Sequence, residues 1–259
     1  MTAPDHQLLE EKRLERLYSY GILDTEDEAA FHHIADDLSL ILQVPTVLIS
    51  FLDRERQWFK ACIQFDARET PRQVAFCSYT ILSEDGLVVE DALQDPLFQD
   101  NPLVTGEPHI RAYIGVPVTS RDGYRIGTIC CIDYQPRAFS ARDRDILKRF
   151  ARRVMNELEQ RLLKQEYQRV MRQLQTVMDS AEQGMVVINQ HNLVVGANQA
   201  AENITGMGWE TGMYFEKTHL LSVGDGKDAI YTRWDGLYHF TVEERRLDDQ
   251  LRVLVFERL

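Results

Sequence analysis

The chain has 259 residues, with 29 Lys plus Arg, 41 Asp plus Glu and a net charge of −12. This acidic balance argues against nucleic acid as a general partner. The sequence contains no apolar run of about 18 residues, so no membrane span is predicted. The N-terminus lacks the pattern of a signal peptide. We therefore expect a cytoplasmic protein of one large or two ordinary domains, whose four cysteines are free thiols.

The first part of the chain predicts two amphipathic helices. Residues 6–20 carry apolar side chains at helical spacing, and Gly21 ends this segment. Thr25 and Glu28 have the spacing of a capping box, which predicts the start of a second helix. Val44-Pro45 stops that second helix, because the residue before a proline is disfavoured in helical conformation.

A series of short strands follows the two helices. The predicted strands are residues 46–52, 57–63, 87–89, 110–119 and 124–133, with one or two helical turns at 76–82. Asp122-Gly123 is a typical hairpin turn between the last two strands. The order of these elements predicts an α+β domain with an antiparallel sheet flanked by helices.

One long helix is predicted from Ser140 to about Met178. Ser140 and Asp143 form a capping-box-like start, and no Gly or Pro follows until Gly184. At a rise of ~1.5 Å per residue, this helix is roughly 57 Å long. Apolar residues spaced three and four apart form two successive sets, with a register break near Leu162. The sets are Leu147, Ala151, Val154, Leu158 and Leu162, then Leu163, Tyr167, Val170, Leu174 and Val177.

The apolar stripe on this helix has two interpretations. A terminal helix packed on its own domain accounts for the first turns, residues 146–154. Nothing in a single chain predicts a cover for residues 158–177, so we expect a parallel homodimer joined by a coiled coil. The candidate dimer-interface residues are Leu147, Val154, Leu158, Leu162, Tyr167, Val170, Leu174 and Val177.

A second module begins at Asp179. It contains predicted strands at 184–188 and 193–195, a short helix at 199–204, a hairpin at 227–233 and 237–247, and a final strand at 251–256. Asn198 is placed to cap the short helix and Gly206 to end it. Asp235-Gly236 is the expected turn of the hairpin.

Many ordered motifs make residues 14–155 resemble a bacterial GAF domain. The motifs are Tyr20-Gly21-Ile22-Leu23-Asp24-Thr25, Arg56-Gln57-Trp58-Phe59-Lys60, Glu69-Thr70-Pro71-Arg72, Ala75-Phe76-Cys77, Asp95-Pro96-Leu97-Phe98, Asn101-Pro102-Leu103-Val104, Ile110-Arg111-Ala112-Tyr113-Ile114-Gly115-Val116-Pro117 and Gly127-Thr128-Ile129-Cys130-Cys131-Ile132-Asp133. The resemblance implies a cytosolic signalling module, with a sheet below a closed or small pocket and flanking helices that transmit its state.

The second module resembles a PAS domain through its order of two strands, a helix and three strands. The matching stretches are Glu182-Gln183-Gly184-Met185-Val186-Val187-Ile188 and Ala197-Asn198-Gln199-Ala200-Ala201-Glu202. Little room remains between Gly208 and Gly226 for the helices that usually enclose a PAS ligand. The predicted organisation is a GAF-like domain at 1–155 with its N-terminal helix, a helical linker at 140–178 and a short PAS-like domain at 179–259.

The GAF resemblance implies ligand contacts from the inner sheet face and the long crossover. The candidate ligand-binding residues are Trp58, Phe76, Cys77, Asp91, Asn101, Arg111, Tyr113 and Cys130. Arg111 could fix an anionic group while Tyr113 covers it. Alternatively, the aromatic residues are simply core, and Arg111 pairs with Asp91 or Asp95.

The positions of the cysteines do not match a known cofactor site, and the sequence identifies no cofactor. Bilin-binding GAF domains use Cys followed by His, but Ser78 follows Cys77, so covalent bilin is not expected. Flavin photochemistry of the PAS type needs a cysteine near Asn198, and none occurs beyond Cys131. The spacings of Cys62, Cys77, Cys130 and Cys131 do not predict a metal site.

These observations predict a sensor or regulatory module that binds a small ligand or partner in its GAF-like domain. No catalytic motif is visible, so an output kinase domain, a diguanylate cyclase domain or a separate partner protein is expected. One alternative is a dimerisation scaffold with no ligand. Another is a free methionine sulfoxide reductase using Cys77 and Cys130; adjacent Cys130 and Cys131 must point to opposite sheet faces.

Overall fold

The computed structural model describes residues 3–215, 221–223, 230–232, 239–247 and 250–258. The chain divides into two compact units, Met1–Lys164 and Gln165–Leu259, and the division falls inside one helix. The first unit contains α1 (Ala3–Ser19), α2 (Ala29–Leu42), α3 (Phe76–Thr80), α4 (Pro102–Thr105), the first part of α5 (Ala141–Asp179) and a 3₁₀ turn at Arg72–Val74. Its strands are β1 (Thr46–Leu52), β2 (Arg56–Ile63), β3 (Glu69–Pro71), β4 (Leu87–Val89), β5 (Ala112–Thr119) and β6 (Arg125–Asp133).

The six strands form one sheet in the order β3-β2-β1-β6-β5-β4, and every neighbouring pair is antiparallel. Central strand β1 is buried along its whole length, because both of its faces are covered. Alternate residues of a strand point to opposite faces. Val47 and Ile49 therefore pack on one side, and Leu48 packs on the other.

The two faces of the sheet differ in what covers them. On the helix face, residues of α2 and α5 and the end of α1 pack against β1, β5 and β6. On the loop face, α3, α4 and the connecting segments between β4 and β5 supply the cover. Cys131 belongs to the helix-face core and Cys130 to the loop-face core, as their alternation in the strand predicts.

The structure corrects two predictions about the ends of elements. Glu28 precedes α2 but makes no side-chain cap bond, so the predicted capping box does not form. Thr25 instead donates its hydroxyl to the Ile22 carbonyl, and the Glu28 carboxylate binds Lys60 and Arg161. Residues 69–71, for which no strand was predicted, form β3, which pairs with β2. Two polar residues and a proline at a sheet edge show too little hydrophobic alternation to predict a strand.

Helix α5 begins with the predicted capping interaction. The Asp143 backbone N–H donates to the Ser140 hydroxyl oxygen at 3.2 Å, and the Ser140 backbone N–H donates to the Asp143 carboxylate at 2.8 Å. These reciprocal bonds satisfy N–H groups that a helix start leaves without partners. Asp143 thus takes the part that Glu or Gln usually plays in such a box.

The assignment of Leu147, Val154 and Leu158 to a dimer interface is corrected by their burial. All three are 0% exposed within the helix-face core of their own unit, and Leu162 packs against the same core. Side chains already removed from water by their own domain cannot also cover a second chain. Farther along α5, four of the candidate interface residues are exposed: Tyr167 at 65%, Val170 at 42%, Leu174 at 52% and Val177 at 67%.

The second unit contains a second antiparallel sheet. Its elements are β7 (Gly184–Asn189), β8 (Val194–Ala197), α6 (Gln199–Thr205), β9 (Leu221–Val223), β10 (Ile230–Thr232), β11 (His239–Arg246) and β12 (Leu251–Arg258). The strand order is β8-β7-β12-β11-β10-β9. Trp209, Phe215 and Phe256 pack in its core. The predicted turn at Asp235-Gly236 lies outside the described residues, and β9 was not predicted.

Candidate functional site

Two thiols meet at the centre of the loop face. Cys77 lies in the first turn of α3, and Cys130 lies on β6. Their Sγ atoms are 3.8 Å apart, and the two residues are 2% and 0% exposed. Helix α3 can lie close to the sheet here because Phe76 packs into the same core. The structure therefore brings together two of the predicted site residues that are far apart in sequence.

Tyr113 completes this arrangement from β5. Its hydroxyl oxygen lies 3.3 Å from Cys77 Sγ and 2.7 Å from the Thr80 hydroxyl oxygen. A Cβ atom at Gly115 would stand 2.2 Å from the Tyr113 hydroxyl oxygen. Gly115 therefore leaves the space that this hydroxyl occupies. We call Cys77, Cys130, Tyr113, Thr80 and Gln57 the thiol cluster.

Gln57 contributes the amide donor of the thiol cluster. Gln57 lies on β2, and its Nε2 donates to Cys77 Sγ at 3.1 Å. Beside the cluster, the hydroxyls of Ser50 and Thr128 bond each other at 2.9 Å across β1 and β6. The sequence analysis did not select these polar residues. The signal was present, since alternation along β1 puts Ser50 on the face that also carries apolar Leu48.

The cluster separates the acidities of its two thiols. Burial raises the pKa of Cys77, but hydrogen bonds with Cys130, Thr128, Tyr113 and Ser50 favour the thiolate and lower it overall. The hydrogen bond with Cys77, together with burial, raises the pKa of Cys130 well above its ordinary value. Burial also raises the pKa of Tyr113, and the neighbouring sulfurs add to that shift. Cys77 is therefore the more readily ionised sulfur of the pair.

Aromatic side chains fill most of the space above the thiols. Phe76 stacks on Phe98 with ring centroids 4.0 Å apart, and it lies 5.1 Å from the Tyr113 ring. The cavity that remains, lined among others by Cys77 and Cys130, has a volume of about 20 Å³. A single water needs at least about 10–15 Å³ measured in this way. The cavity thus has room for one molecule about the size of water.

The other predicted ligand-binding residues have different positions. Trp58 packs in the helix-face core, on the opposite side of the sheet. Asn101 caps α4, and its side-chain amide donates to the Val74 carbonyl at 2.9 Å. The Asp91 carboxylate accepts hydrogen bonds from the Leu93 backbone N–H and the Gln94 side-chain amide. These three side chains hold local structure and do not face the thiol cluster.

Arg111 fulfils neither of its two predicted roles. Its Nη1 donates to the carbonyl oxygens of Val104 and Ile110, both at 2.9 Å. The guanidinium is thus committed to holding the crossover between α4 and β5. It does not join a ligand site with Tyr113, and within the described residues it forms no ion pair with Asp91 or Asp95.

A larger depression on the surface of the first unit contains an arginine whose charge is already paired. It has a volume of about 570 Å³ and contains Arg56 and Glu69. The Arg56 guanidinium bonds Asp24 and Glu69 at 2.6 Å each and Asp53 at 3.3 Å. Three carboxylates already neutralise this cation, so we place the candidate site at the thiol cluster.

Within the described ranges, no group of three or more His, Cys, Asp or Glu residues is arranged to hold a metal ion. No helix in the same part of the chain has both the length and the apolar character needed to cross a bilayer.

The chain belongs to the GAF domain family, whose family model matches residues 27–158. It is 41% identical over 156 residues to the cyclic di-GMP phosphodiesterase PA2567 of Pseudomonas aeruginosa. This match covers 60% of the present chain and only 27% of the relative, so the chain spans about a quarter of that protein's length. The matched part of the chain is therefore homologous to part of a larger protein that is named a cyclic di-GMP phosphodiesterase.

Solved structures with a similar fold include a fragment of a methyl-accepting chemotaxis protein. It is 17% identical with a TM-score of 0.44, and the match covers 59% of this chain and 99% of that one. A type II free methionine-R-sulfoxide reductase from Thermoplasma acidophilum is 19% identical with a TM-score of 0.43, and the match covers 59% of this chain and 96% of that one.

Proposed function

We propose that the chain is a homodimeric regulatory module of a signalling protein, in which the GAF domain receives a signal and α5 transmits it. The observation that carries this proposal is the exposed apolar stripe on α5, formed by Leu163, Tyr167, Val170, Leu174 and Val177. Intervals of four, three, four and three residues separate these side chains. This is the heptad spacing at which two helices bury each other's apolar seam.

The same helix provides a direct route from the GAF core. The first half of α5 is buried in that core through Leu147, Val154 and Leu158. A change in the packing of the core therefore acts on a helix that continues into the stripe. Bistable packing at helix interfaces is a known way to convert a small shift into a signal. The signal would pass to the second unit, which we propose to be PAS-like because two strands and a helix precede its remaining strands.

The relative's name suggests the kind of output that such a module could serve. PA2567 is named a cyclic di-GMP phosphodiesterase, and the present chain matches only part of it. We propose that this GAF domain regulates an output domain or partner protein that acts on cyclic di-GMP. An output kinase or a diguanylate cyclase would use the same dimeric helix. The chain itself is proposed to be regulatory and not enzymatic.

The size of the loop-face cavity favours a second candidate, a dimerisation scaffold without an organic ligand. Ligand pockets usually have volumes of roughly 300–1,000 Å³, whereas the cavity at the thiol cluster has about 20 Å³. Methionine sulfoxide is likewise too large for it, although the two cysteines converge as a reductase would require. Native mass spectrometry separates the candidates, since a bound organic ligand would appear as added mass that unfolding removes.

Substitution within the stripe tests the dimer. Leu174→Glu places two carboxylates in the seam, one from each chain, and we expect the dimer to weaken by about 3 kcal/mol or more, over roughly 100-fold. Gln168→Glu adds the same charge outside the stripe and should leave the dimer intact. Multi-angle light scattering during gel filtration measures the mass of each variant. A wild-type chain with the mass of one protomer, 30.1 kDa, would overturn the proposal.

A further inference from the structure

We propose that hydrogen peroxide converts Cys77 and Cys130 into a reversible intrachain disulfide, which makes the thiol cluster a redox-responsive modification site. The two Sγ atoms lie 3.8 Å apart, within hydrogen-bonding distance of each other. A disulfide has a length of about 2.05 Å, so the sulfurs must approach by roughly 1.8 Å. Rotation of the two side chains about their Cα–Cβ bonds provides motion on this scale.

The cavity beside the thiols suits a small oxidant. Cys77 and Cys130 both line it, with Tyr113 at the same wall, and its volume is about 20 Å³. Hydrogen peroxide has two heavy atoms and is only slightly larger than water. Bulky organic hydroperoxides would have to displace the stacked rings of Phe76 and Phe98. The cavity therefore favours hydrogen peroxide over larger oxidants.

The reaction proceeds in two balanced steps. The Cys77 thiolate attacks one peroxide oxygen, the O–O bond breaks, and the departing hydroxide takes up the proton released from Cys77 to become water. Cys77 is then a sulfenic acid. The Cys130 sulfur attacks this sulfur, the S–O bond breaks, and hydroxide leaves with the Cys130 proton as a second water. Two thiols and one hydrogen peroxide thus give one disulfide and two waters.

The surroundings assign the attacking and resolving sulfurs. Gln57 donates its amide N–H to Cys77 Sγ at 3.1 Å and so stabilises negative charge there. The Tyr113 hydroxyl is 3.3 Å from the same sulfur and can donate to the thiolate. Cys130 is the nearby sulfur that can resolve a sulfenic acid at Cys77. Cys131 packs on the opposite sheet face, so it takes no part.

The unaltered chain provides the first test. Reduced protein is treated with hydrogen peroxide, unfolded, and alkylated with one reagent; it is then reduced and alkylated with a second reagent. We expect peptide mass spectrometry to find the second label on Cys77 and Cys130. A portion digested without reduction should contain a linked peptide pair two hydrogens lighter than the separate thiols. Fragment ions between Cys130 and Cys131 identify the participating residue. Cys62 and Cys131 should carry the first label.

Variants confirm the order of the steps. Cys130→Ser should leave Cys77 as a sulfenic acid that dimedone traps, whereas Cys77→Ser should leave Cys130 reduced. Cys62→Ser is the matched control and should form the linked pair at the wild-type rate. The proposal is overturned if wild-type Cys77 and Cys130 keep the first label, or if Cys77 pairs with Cys62. Since both thiols belong to one chain, these results do not depend on dimerisation through α5.

Discussion

At the scale of single residues, the Lys60 ammonium is a buried charge that hydrogen bonds hold in place. Its side chain is 0% exposed, and Nζ donates to the Thr25 hydroxyl oxygen, the Glu26 carbonyl and the Glu28 carboxylate at 2.9, 2.5 and 2.8 Å. Burying a charge is costly unless hydrogen bonds and an opposite charge compensate for it. Glu28 also binds Arg161 of α5 at 2.8 Å, which links β2 to the helix.

Replacement of Glu28 by Gln should therefore destabilise the first unit. Lys60 keeps its two neutral acceptors but loses its carboxylate, so we expect the free energy of unfolding to fall by about 1–3 kcal/mol at neutral pH. Urea unfolding measures this change. Asp27→Asn is the matched control, because the Asp27–Arg68 pair is exposed to solvent and should contribute little to stability.

The pH dependence of the same variant has a defined sign. Burial raises the pKa of Glu28, but bonds from Lys60 and Arg161 outweigh it and lower the pKa below 4.5. A carboxylate with a lowered folded-state pKa contributes stability above its unfolded pKa and loses it as the pH falls through the folded value. The stability difference between wild type and Glu28→Gln should shrink below about pH 4.5. A difference that grows on acidification would contradict this assignment.

The sequence predicted part of the site at this scale. Cys77, Tyr113 and Cys130 were selected through a family resemblance, and the structure brings them together. Gln57 and Thr80 were not selected, because an amide or hydroxyl in an apolar strand or short helix has no distinctive spacing. Their contacts depend on how α3 lies on the sheet, which no local pattern specifies.

At the scale of elements, Asn198 connects three segments of the second unit. Its Oδ1 accepts from the Ala201 N–H at the start of α6 and from the Met185 N–H of β7. Its Nδ2 donates to the carbonyl oxygens of Met178, at 2.7 Å, and Gln183, at 2.9 Å. The sequence predicted only the helix cap. The other three bonds join the end of α5 to the start of the sheet.

The Asn198→Asp variant keeps the two bonds that the side-chain oxygen accepts and removes the two that the amide donates. The carboxylate can still accept from α6 and β7, but it cannot donate to two carbonyl oxygens that it now faces, so we expect a loss of about 2–4 kcal/mol. Hydrogen exchange measured on peptides covering β7 and α6 should become faster. Gln199→Ala, which removes only an exposed bond to Glu202, should leave exchange there unchanged. Unchanged exchange in the Asn198→Asp variant would show that the donor bonds are unimportant.

Helix α5 shows what hydrophobic spacing can and cannot predict. The positions of its apolar residues and its capped start at Ser140 were both predicted from the sequence. The partner of each apolar residue was not, since the same spacing suits packing on a domain and pairing with another helix. The structure divides the stripe near the predicted register break, with Leu158 buried at 0% exposure and Leu163 exposed at 69%.

At the scale of the whole molecule, the chain has two compact units, and helix α5 runs from the first into the second. Most of the strands in the two units were predicted, because alternation and turn residues are local signals. The order of strands in each sheet depends on long-range pairing, and the family resemblance supplied it only in outline. The function we propose adds one further association, between two copies of the chain in parallel.

Disulfide cross-linking at the start of the stripe tests that association most directly. In a parallel pair, Leu163 faces Leu163 of the other chain, so Leu163→Cys in a Cys62→Ser background should give a covalent dimer on a non-reducing gel. Gln168→Cys, which lies outside the stripe, should not. If Leu163→Cys alone stays monomeric, the central claim is contradicted; links that form only when it is mixed with Val177→Cys would indicate an antiparallel pair.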